Sequence, residues 1–164
     1  MSIVTNTLDS KWSLYIHLHN VSDWNFESYH KIMEMNTVEE AILLNDKIDF
    51  ELIKKTIIFV MNDNIKPMWE DENNKSGGGF SFKVHNKIVE QVWKKIYYRL
   101  IGNTLVKDPK LSGNICGISL SPKKSFCIIK IWMKDCKCVN PDIFVTIDDV
   151  SKSECLFKKH YSDF

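Results

Sequence analysis

The side chains best placed to do chemistry lie in one short segment, residues 65–72, which reads IKPMWEDE. The ring of Trp69 is followed directly by the carboxylate of Glu70, and Pro67 restricts the backbone ahead of both. A tryptophan stacks on flat rings and attracts cations through its π face, and an ionised carboxylate only accepts hydrogen bonds. The pair therefore predicts binding of a flat, positively charged purine with two N–H donors on one edge, and guanine methylated at N7 is such a ligand.

The other tryptophans differ in their surroundings. Trp24 lies in a polar stretch between an aspartate and an asparagine, so we expect an exposed ring that stacks on a ligand. Trp12 and Trp93 fall on the periodic apolar faces of their segments, where a core role is expected. Trp132 lies within the apolar run 128–133, and there a core role and a site role both remain open.

Several landmarks, in this order along the chain, resemble the eukaryotic translation initiation factor 4E family. The central one is Pro67-Met68-Trp69-Glu70-Asp71-Glu72, followed by Asn74-Lys75 and by Gly77, Gly78 and Gly79. The others are Trp12-Ser13-Leu14-Tyr15, Trp24, Thr37-Val38-Glu39-Glu40, Trp93 with Leu100-Ile101-Gly102, and Ile115-Cys116-Gly117 with Ile131-Trp132. The resemblance runs from about residue 8 to residue 135, and it identifies the chain as a divergent and short member.

The resemblance implies an α/β (α+β) fold. It consists of a single curved, mostly antiparallel β-sheet with about three helices on its convex face and the ligand cleft on its concave face. A chain of 164 residues is long enough to bury its own core. We expect one domain over residues 1–164, with a flexible N-terminus at 1–8 and a divergent C-terminal part at 136–164.

Alternating or β-branched runs predict most of the strands, and a glycine cluster predicts a turn. Strands are expected at 12–18, 56–61 and 80–84, in a hairpin of 115–121 and 126–133, and, from the resemblance, at 27–35. The glycines of the turn at 75–80 are expected to adopt backbone angles that other residues avoid.

Two helices are predicted from apolar spacing and capping residues. The first covers 38–45, with Thr37 as N-cap and Glu40 as its capping-box partner. The second covers 86–101, where apolar residues recur every four positions, and it ends at Gly102.

The resemblance also implies a ligand site. Trp24 and Trp69 would hold the methylated base between them, and Glu70 would accept from its N1 and N2 donors and so reject adenine. Trp132 would contact the N7-methyl group.

The basic residues for the ligand's phosphates are less complete. Lys123 falls on the family's leading basic position, and Lys124 is adjacent to it. The family's next two basic positions carry Ser125 and Ile128, and its arginine after the turn is replaced by Gly79. We therefore expect fewer phosphate contacts and a shallower salt dependence than in relatives.

On the convex (dorsal) side, the family binds partner helices of the form Tyr-x-x-x-x-Leu-Φ, where Φ is apolar. These belong to a scaffold of the initiation factor 4G type or to 4E-binding-protein-like repressors. The corresponding positions here are Val38, Ile42, Lys94, Tyr98 and Gly102. The apolar patch is smaller and includes a lysine, so we expect either a divergent partner or loss of scaffold binding.

Composition narrows the remaining possibilities. A net charge of +1 gives no general attraction for nucleic acid, and Arg99 is the only arginine. Five cysteines without an export signal indicate free thiols. We expect no metal, no cofactor and no membrane contact, since no apolar stretch is long enough to span a bilayer. The expected location is the cytoplasm, with the nucleus as a second possibility, and the expected state is a monomer within a heteromeric complex.

These observations predict a non-enzymatic protein that binds the 7-methylguanosine cap of messenger RNA and recruits capped messages for translation initiation. A cap-binding repressor or cap-shielding protein that does not engage the scaffold is the alternative, and the dorsal substitutions favour it. An enzyme acting on the cap is disfavoured, because the sequence offers no nucleophile with a paired base and no phosphate-binding loop.

Overall fold

A computed structural model describes residues 4–161 of the chain. Seven strands form one curved sheet in which each neighbouring pair is antiparallel, in the order β2-β1-β3-β5-β6-β4-β7. The strands are β1 (Thr7–Leu18), β2 (His30–Thr37), β3 (Thr56–Asn62), β4 (Gly78–His85), β5 (Ile115–Pro122), β6 (Phe126–Met133) and β7 (Leu156–Lys159). This confirms the predicted fold class. Thr7 and Leu8, expected in a flexible N-terminus, lie in β1, and residues 1–3 and 162–164 lie outside the described part.

Side chains alternate between the two faces of the sheet, because successive residues of a strand point to opposite sides. In β6, Ile129 and Ile131 are buried in the main core with the helices, whereas Trp132 belongs to a smaller cluster on the other face. The smaller cluster also contains Tyr15 and Phe59. The face that carries this smaller cluster is the concave face, and the helices cover the convex one.

In the part of the chain that the structure describes, three α-helices accompany the sheet: α1 (Val38–Lys47), α2 (Phe50–Ile53) and α3 (Val89–Ile101). The predicted capping box of α1 is present, since Thr37 accepts from the Glu40 amide and Glu40 accepts from the Thr37 amide. Among the described residues, no helix is long and apolar enough to cross a bilayer.

The second predicted helix begins later than expected. Residues 86–88 form a turn ahead of α3, and Ile88 at the N-cap provides no side-chain hydrogen bond. Gly102 does stand at the C-cap, and its N–H donates to the Tyr98 carbonyl at 3.0 Å. The left-handed backbone angle falls one residue later, at Asn103, with φ of 55°.

Two further expectations need correction. The segment 27–35 is only partly a strand, because residues Phe26–Ser28 form a 3-10 turn before β2. The glycines of the turn serve close packing and not unusual backbone angles, since no described glycine has a positive φ. A Cβ at Gly77 would overlap the Met133 carbonyl, and one at Gly79 would overlap the Lys130 side chain.

Candidate functional site

A cavity of about 410 Å³ opens on the concave face and brings the predicted base-binding residues together. Eight side chains line it: Trp24, Tyr29, Phe59, Pro67, Met68, Trp69, Glu70 and Trp132. We call it the tryptophan cavity. The rings of Trp24 and Trp69 are 52% and 49% exposed, so both offer free aromatic surface to a ligand.

The loop that carries Trp69 is held by polar side chains within itself. The amide of Asn74, which is fully buried, donates to the carbonyls of Lys66 and Met68 at 2.9 and 2.8 Å. The carboxylate of Asp71 accepts from the backbone amides of Lys66 and Asn73 at 3.0 and 2.8 Å. Trp69 and Glu70 therefore project from a preorganised turn, which lowers the entropy lost when a ligand binds.

The loop that carries Trp24 is fixed by a histidine on the neighbouring strand. The His17 ring lies parallel to the Trp24 ring, with centroids 4.0 Å apart and planes 2° apart. The Nε2–H of His17 donates to the Asp23 carbonyl at 2.8 Å, since a carbonyl can only accept. One face of Trp24 is thereby covered, and its orientation in the cavity is set.

A second histidine, His160 after β7, supports Trp69 in a similar way. Its ring is stacked with Trp69 at 6.3 Å and packs against Trp132 at 4.9 Å. The Nδ1–H donates to the Asn74 carbonyl at 2.6 Å, which leaves Nε2 buried and without a partner among the described residues. Burial, with the nearby charge of Lys130, lowers the pKa of His160 to about 4, so the ring is neutral at pH 7.

Trp132 combines the two roles that its sequence context left open. It is buried, its Nε1–H donates to Ser119 Oγ at 2.9 Å, and its ring meets Phe59 edge-on. It also lines the tryptophan cavity, so one core residue provides part of the wall of the site. Trp12 and Trp93 are buried in the main core, as predicted.

Glu70 gives the cavity a negative charge. Together with burial, which is the larger cause, this charge raises the pKa of Tyr29 to about 12. Glu72 pairs with Lys75 at 2.7 Å, whereas Glu70 makes no ion pair among the described residues. An unpaired carboxylate beside aromatic faces suits a cationic ring with N–H donors.

A second cavity, of about 640 Å³, borders the first at Trp69. It is lined by Trp69, Ser81, Lys130, Phe157, Lys158, Lys159 and His160, and we call it the basic cleft. Lys130 Nζ lies 4.2 Å from the centroid of the Trp132 ring and 5.6 Å from that of Trp69. Lys123 and Lys124 are not in either lining; they lie exposed at the β5–β6 turn, where Lys123 lines a separate cavity with Phe50 and Lys87.

The dorsal residues lie on the two neighbouring helices α1 and α3. Val38, Ile42 and Tyr98 are partly exposed there, and the Asn45 amide joins the helices by donating to the Tyr98 hydroxyl at 3.3 Å. Lys94 faces solvent and pairs within α3 with Glu90 at 3.8 Å. Gly102 ends α3.

Several cavity residues were not identified from the sequence. Tyr29 and Phe59 carry no local signal, since their position depends on strand pairing. Lys130 had a weak signal, because it is two residues from Trp132 and therefore on the same strand face. Across the described part, no group of three or more His, Cys, Asp or Glu side chains is placed to hold a metal ion.

The fold and its cavities define a class: an α/β protein whose curved antiparallel sheet carries an aromatic cavity with one acid, flanked by a basic cleft. The family model described as eukaryotic initiation factor 4E matches residues 7–161. The chain belongs to this family. The match includes the C-terminal part beyond residue 135, where the sequence landmarks stop.

Individual relatives of known identity belong to the same family. Eukaryotic translation initiation factor 4E of Eremothecium gossypii is 30% identical over 134 residues, 77% of this chain and 62% of the relative. That of Saccharomyces cerevisiae is 30% identical over 138 residues, 80% of this chain and 63% of the relative. This chain thus spans less than two thirds of the length of either relative.

Among solved structures, the complex of Ascaris suum eIF4E-3 with m7G cap is similar in fold. The TM-score is 0.72 at 23% identity, over 85% of this chain and 79% of that one.

Proposed function

We propose that this protein binds the 7-methylguanosine cap of messenger RNA and, as a non-enzymatic factor, recruits capped messages for translation initiation in the cytoplasm. The observation that carries the proposal is that Trp24, Trp69 and Glu70 line one cavity, although they come from two separate loops. The family membership agrees with this function.

The chemistry follows from the cavity walls. The methylated guanine is flat and positively charged, so its ring gains from stacking and from cation–π attraction to both tryptophans. Stacking contributes about 1–3 kcal/mol per base. Trp132, at the wall of the same cavity, is the proposed contact of the N7-methyl group.

Glu70 supplies selectivity. Its carboxylate accepts from the N1 and N2 donors of guanine, an edge that adenine lacks. Tyr29 is neutral at physiological pH, as an ordinary phenol is, and its pKa, raised to about 12, extends that neutrality to high pH, so Tyr29 adds no second negative charge beside Glu70. The unpaired acid also favours the methylated, cationic base over plain guanine.

A titration with the 7-methylguanosine triphosphate cap analogue and with plain GTP, followed by tryptophan fluorescence, tests the proposal. We expect quenching by the methylated nucleotide and little by GTP. Glu70→Gln should reduce this preference, and the cation–π attraction of the two tryptophans should account for what remains. Glu72→Gln is the matched control, since that acid lies in the same loop and pairs with Lys75. Equal affinity for the two nucleotides, or no binding of either one, contradicts the proposal.

Recruitment requires a partner as well as a cap. We propose that a Tyr-x-x-x-x-Leu-Φ helix, from a scaffold of the initiation factor 4G type or a 4E-binding-protein-like repressor, docks on the dorsal patch. The exposed apolar surface of Val38, Ile42 and Tyr98 supports this. Calorimetry with a peptide of this form from a scaffold of the initiation factor 4G type measures binding to the wild type and to Ile42→Asp. Wild-type binding that Ile42→Asp abolishes supports recruitment. Absence of scaffold binding favours the cap-binding repressor or shielding role.

A further inference from the structure

The strand register determines which residues lie beside Trp132 at the edge of the tryptophan cavity. In the sheet, Gly79 of β4 lies between Trp132 of β6 and Lys158 of β7, and directly paired residues share a face. Ser81 lies opposite Lys130 in the same way. The concave face therefore carries two lysines on strands that flank β4, next to the wall formed by Trp132.

Gly79 makes room for one of these lysines. A Cβ at this position would overlap the Cε, Cγ and Cδ atoms of Lys130, so the lysine stem lies across the glycine. The position that carries an arginine in the family therefore has no side chain here, and the Lys130 side chain of β6 lies over it. The basic group at this place is thus Lys130 and not an arginine of β4.

Two lysines of the basic cleft lack carboxylate partners among the described residues. Elsewhere Lys11, Lys31 and Lys54 pair with carboxylates, but Lys130 and Lys158 have no such partner among the described residues. Burial, with the like charge of Lys158, lowers the pKa of Lys130 to about 8. An anion in the cleft relieves both effects, because it offsets the lost solvation and the mutual repulsion.

The hairpin-tip lysines are less well placed. Lys123 pairs with Phe126 at the far end of β6, six positions from Trp132, which corresponds to about 20 Å along a strand. Lys130 is two positions from Trp132, about 7 Å. A phosphate chain attached to a base in the tryptophan cavity reaches the basic cleft first.

We propose that Lys130 and Lys158 bind the phosphate chain of the nucleotide whose base occupies the tryptophan cavity, an inference that rests on the function proposed above. The ligand's phosphates then run toward β4 and β7 and not along the β5–β6 hairpin. The ligand's two charges meet two separate sites: the cationic base faces Glu70, and the anionic phosphates face the lysines.

The test compares three probes: the nucleoside 7-methylguanosine, its triphosphate, and inorganic tripolyphosphate. Affinities are measured by calorimetry for the wild type, Lys130→Met, Lys158→Met and the control pair Lys123→Met/Lys124→Met. We expect Lys130→Met and Lys158→Met each to lower triphosphate affinity about 10-fold with nucleoside affinity unchanged. Each should also reduce the slope of log affinity against log salt by about 0.7–1. The control pair should bind like the wild type.

Protonation offers an independent readout. Triphosphate affinity should fall more steeply in the wild type than in Lys130→Arg as pH rises through about 8, where Lys130 loses its proton and arginine stays charged. Lys130→Gln serves as a second neutral variant if Lys130→Met fails to fold by thermal unfolding.

Each outcome decides the inference. Unchanged triphosphate affinity in both cleft variants, or a loss in the hairpin-tip pair instead, overturns it. Equal wild-type affinity for 7-methylguanosine triphosphate and for GTP in the fluorescence titration refutes the proposed function and not the anion site. The site then stands if Lys130→Met abolishes tripolyphosphate binding, and falls if the wild type does not bind tripolyphosphate.

Discussion

The tryptophan cavity and the basic cleft share Trp69 and one face of one sheet, but they are built differently. The cavity takes its main groups from two loops, each set by short-range contacts such as those of Asn74 with Lys66 and Met68. The cleft takes Lys130 from β6 and Lys158 from β7, two strands that are both paired with β4 but not with each other. A site built from loops can be recognised in a short motif, whereas a site built across strands cannot.

The two regions also differ in charge. Among the described residues, Glu70 in the cavity has no ion-pair partner, and neither do Lys130 and Lys158 in the cleft. A ligand with a cationic ring and an anionic tail matches both at once, and neither region alone distinguishes such a ligand from a simpler one. Variants that affect one region and spare the other therefore test the comparison.

The largest effect is expected from removing both aromatic faces of the cavity. Trp24→Ala with Trp69→Ala should weaken binding of the 7-methylguanosine nucleoside and of its triphosphate equally, by about 4 kcal/mol or roughly 1,000-fold. Calorimetry measures both ligands. Trp69→Phe, which keeps a ring, should retain most of the affinity. A loss confined to the triphosphate would mean that the two regions are not separate.

A pH-dependent effect is expected from His160, which touches both regions. Its pKa is lowered from 6.5 to about 4, so between these values the unfolded chain binds a proton that the folded chain does not. The free energy of unfolding should therefore fall as pH falls from 6.5 to 4, by about 3 kcal/mol from this group.

Urea unfolding at several pH values checks this prediction. The decline should be smaller in His160→Gln and unchanged in His30→Gln, an exposed histidine at the start of β2. Equal pH profiles for the wild type and His160→Gln would contradict it.

A somewhat smaller effect is expected from the loop that both regions share. Asn74→Ala removes two buried donors and leaves the carbonyls of Lys66 and Met68 unpaired, at a cost of about 2 kcal/mol in stability. Denaturant unfolding measures this loss, and nucleoside affinity should fall with it. Asn73→Ala is the matched control, because within residues 4–161 its side-chain amide donates a hydrogen bond only to Asp71, at 3.2 Å.

The smallest effect is expected from Gly79→Ala. The added methyl overlaps the flexible Lys130 stem, which can shift, so stability should change little. Triphosphate affinity should fall about threefold, less than about 1 kcal/mol, with no change for the nucleoside. Gly77→Ala is a useful contrast, because there the methyl meets the Met133 backbone carbonyl and should destabilise the fold. An unchanged triphosphate affinity in Gly79→Ala would show that the space at Gly79 does not affect binding in the basic cleft.

The sequence by itself determined the capping box of α1 and the hairpin of β5 and β6, which depend on alternation, spacing and local hydrogen bonds that adjacent residues specify. It determined the cavity acid beside Trp69 through the residue types of one short motif, and the fold class through the family resemblance. It also led to the family through short motifs.

Only the tertiary structure decided which residues from distant strands became neighbours. Strand register brought Lys158 beside Gly79 and His160 beside Trp69, and it left Lys123 and Lys124 at the far end of the hairpin. The same packing explains the turn glycines, which make space for a carbonyl and a lysine stem and do not adopt unusual angles. Pairing across a sheet depends on residues far apart in the chain, and no local pattern records it.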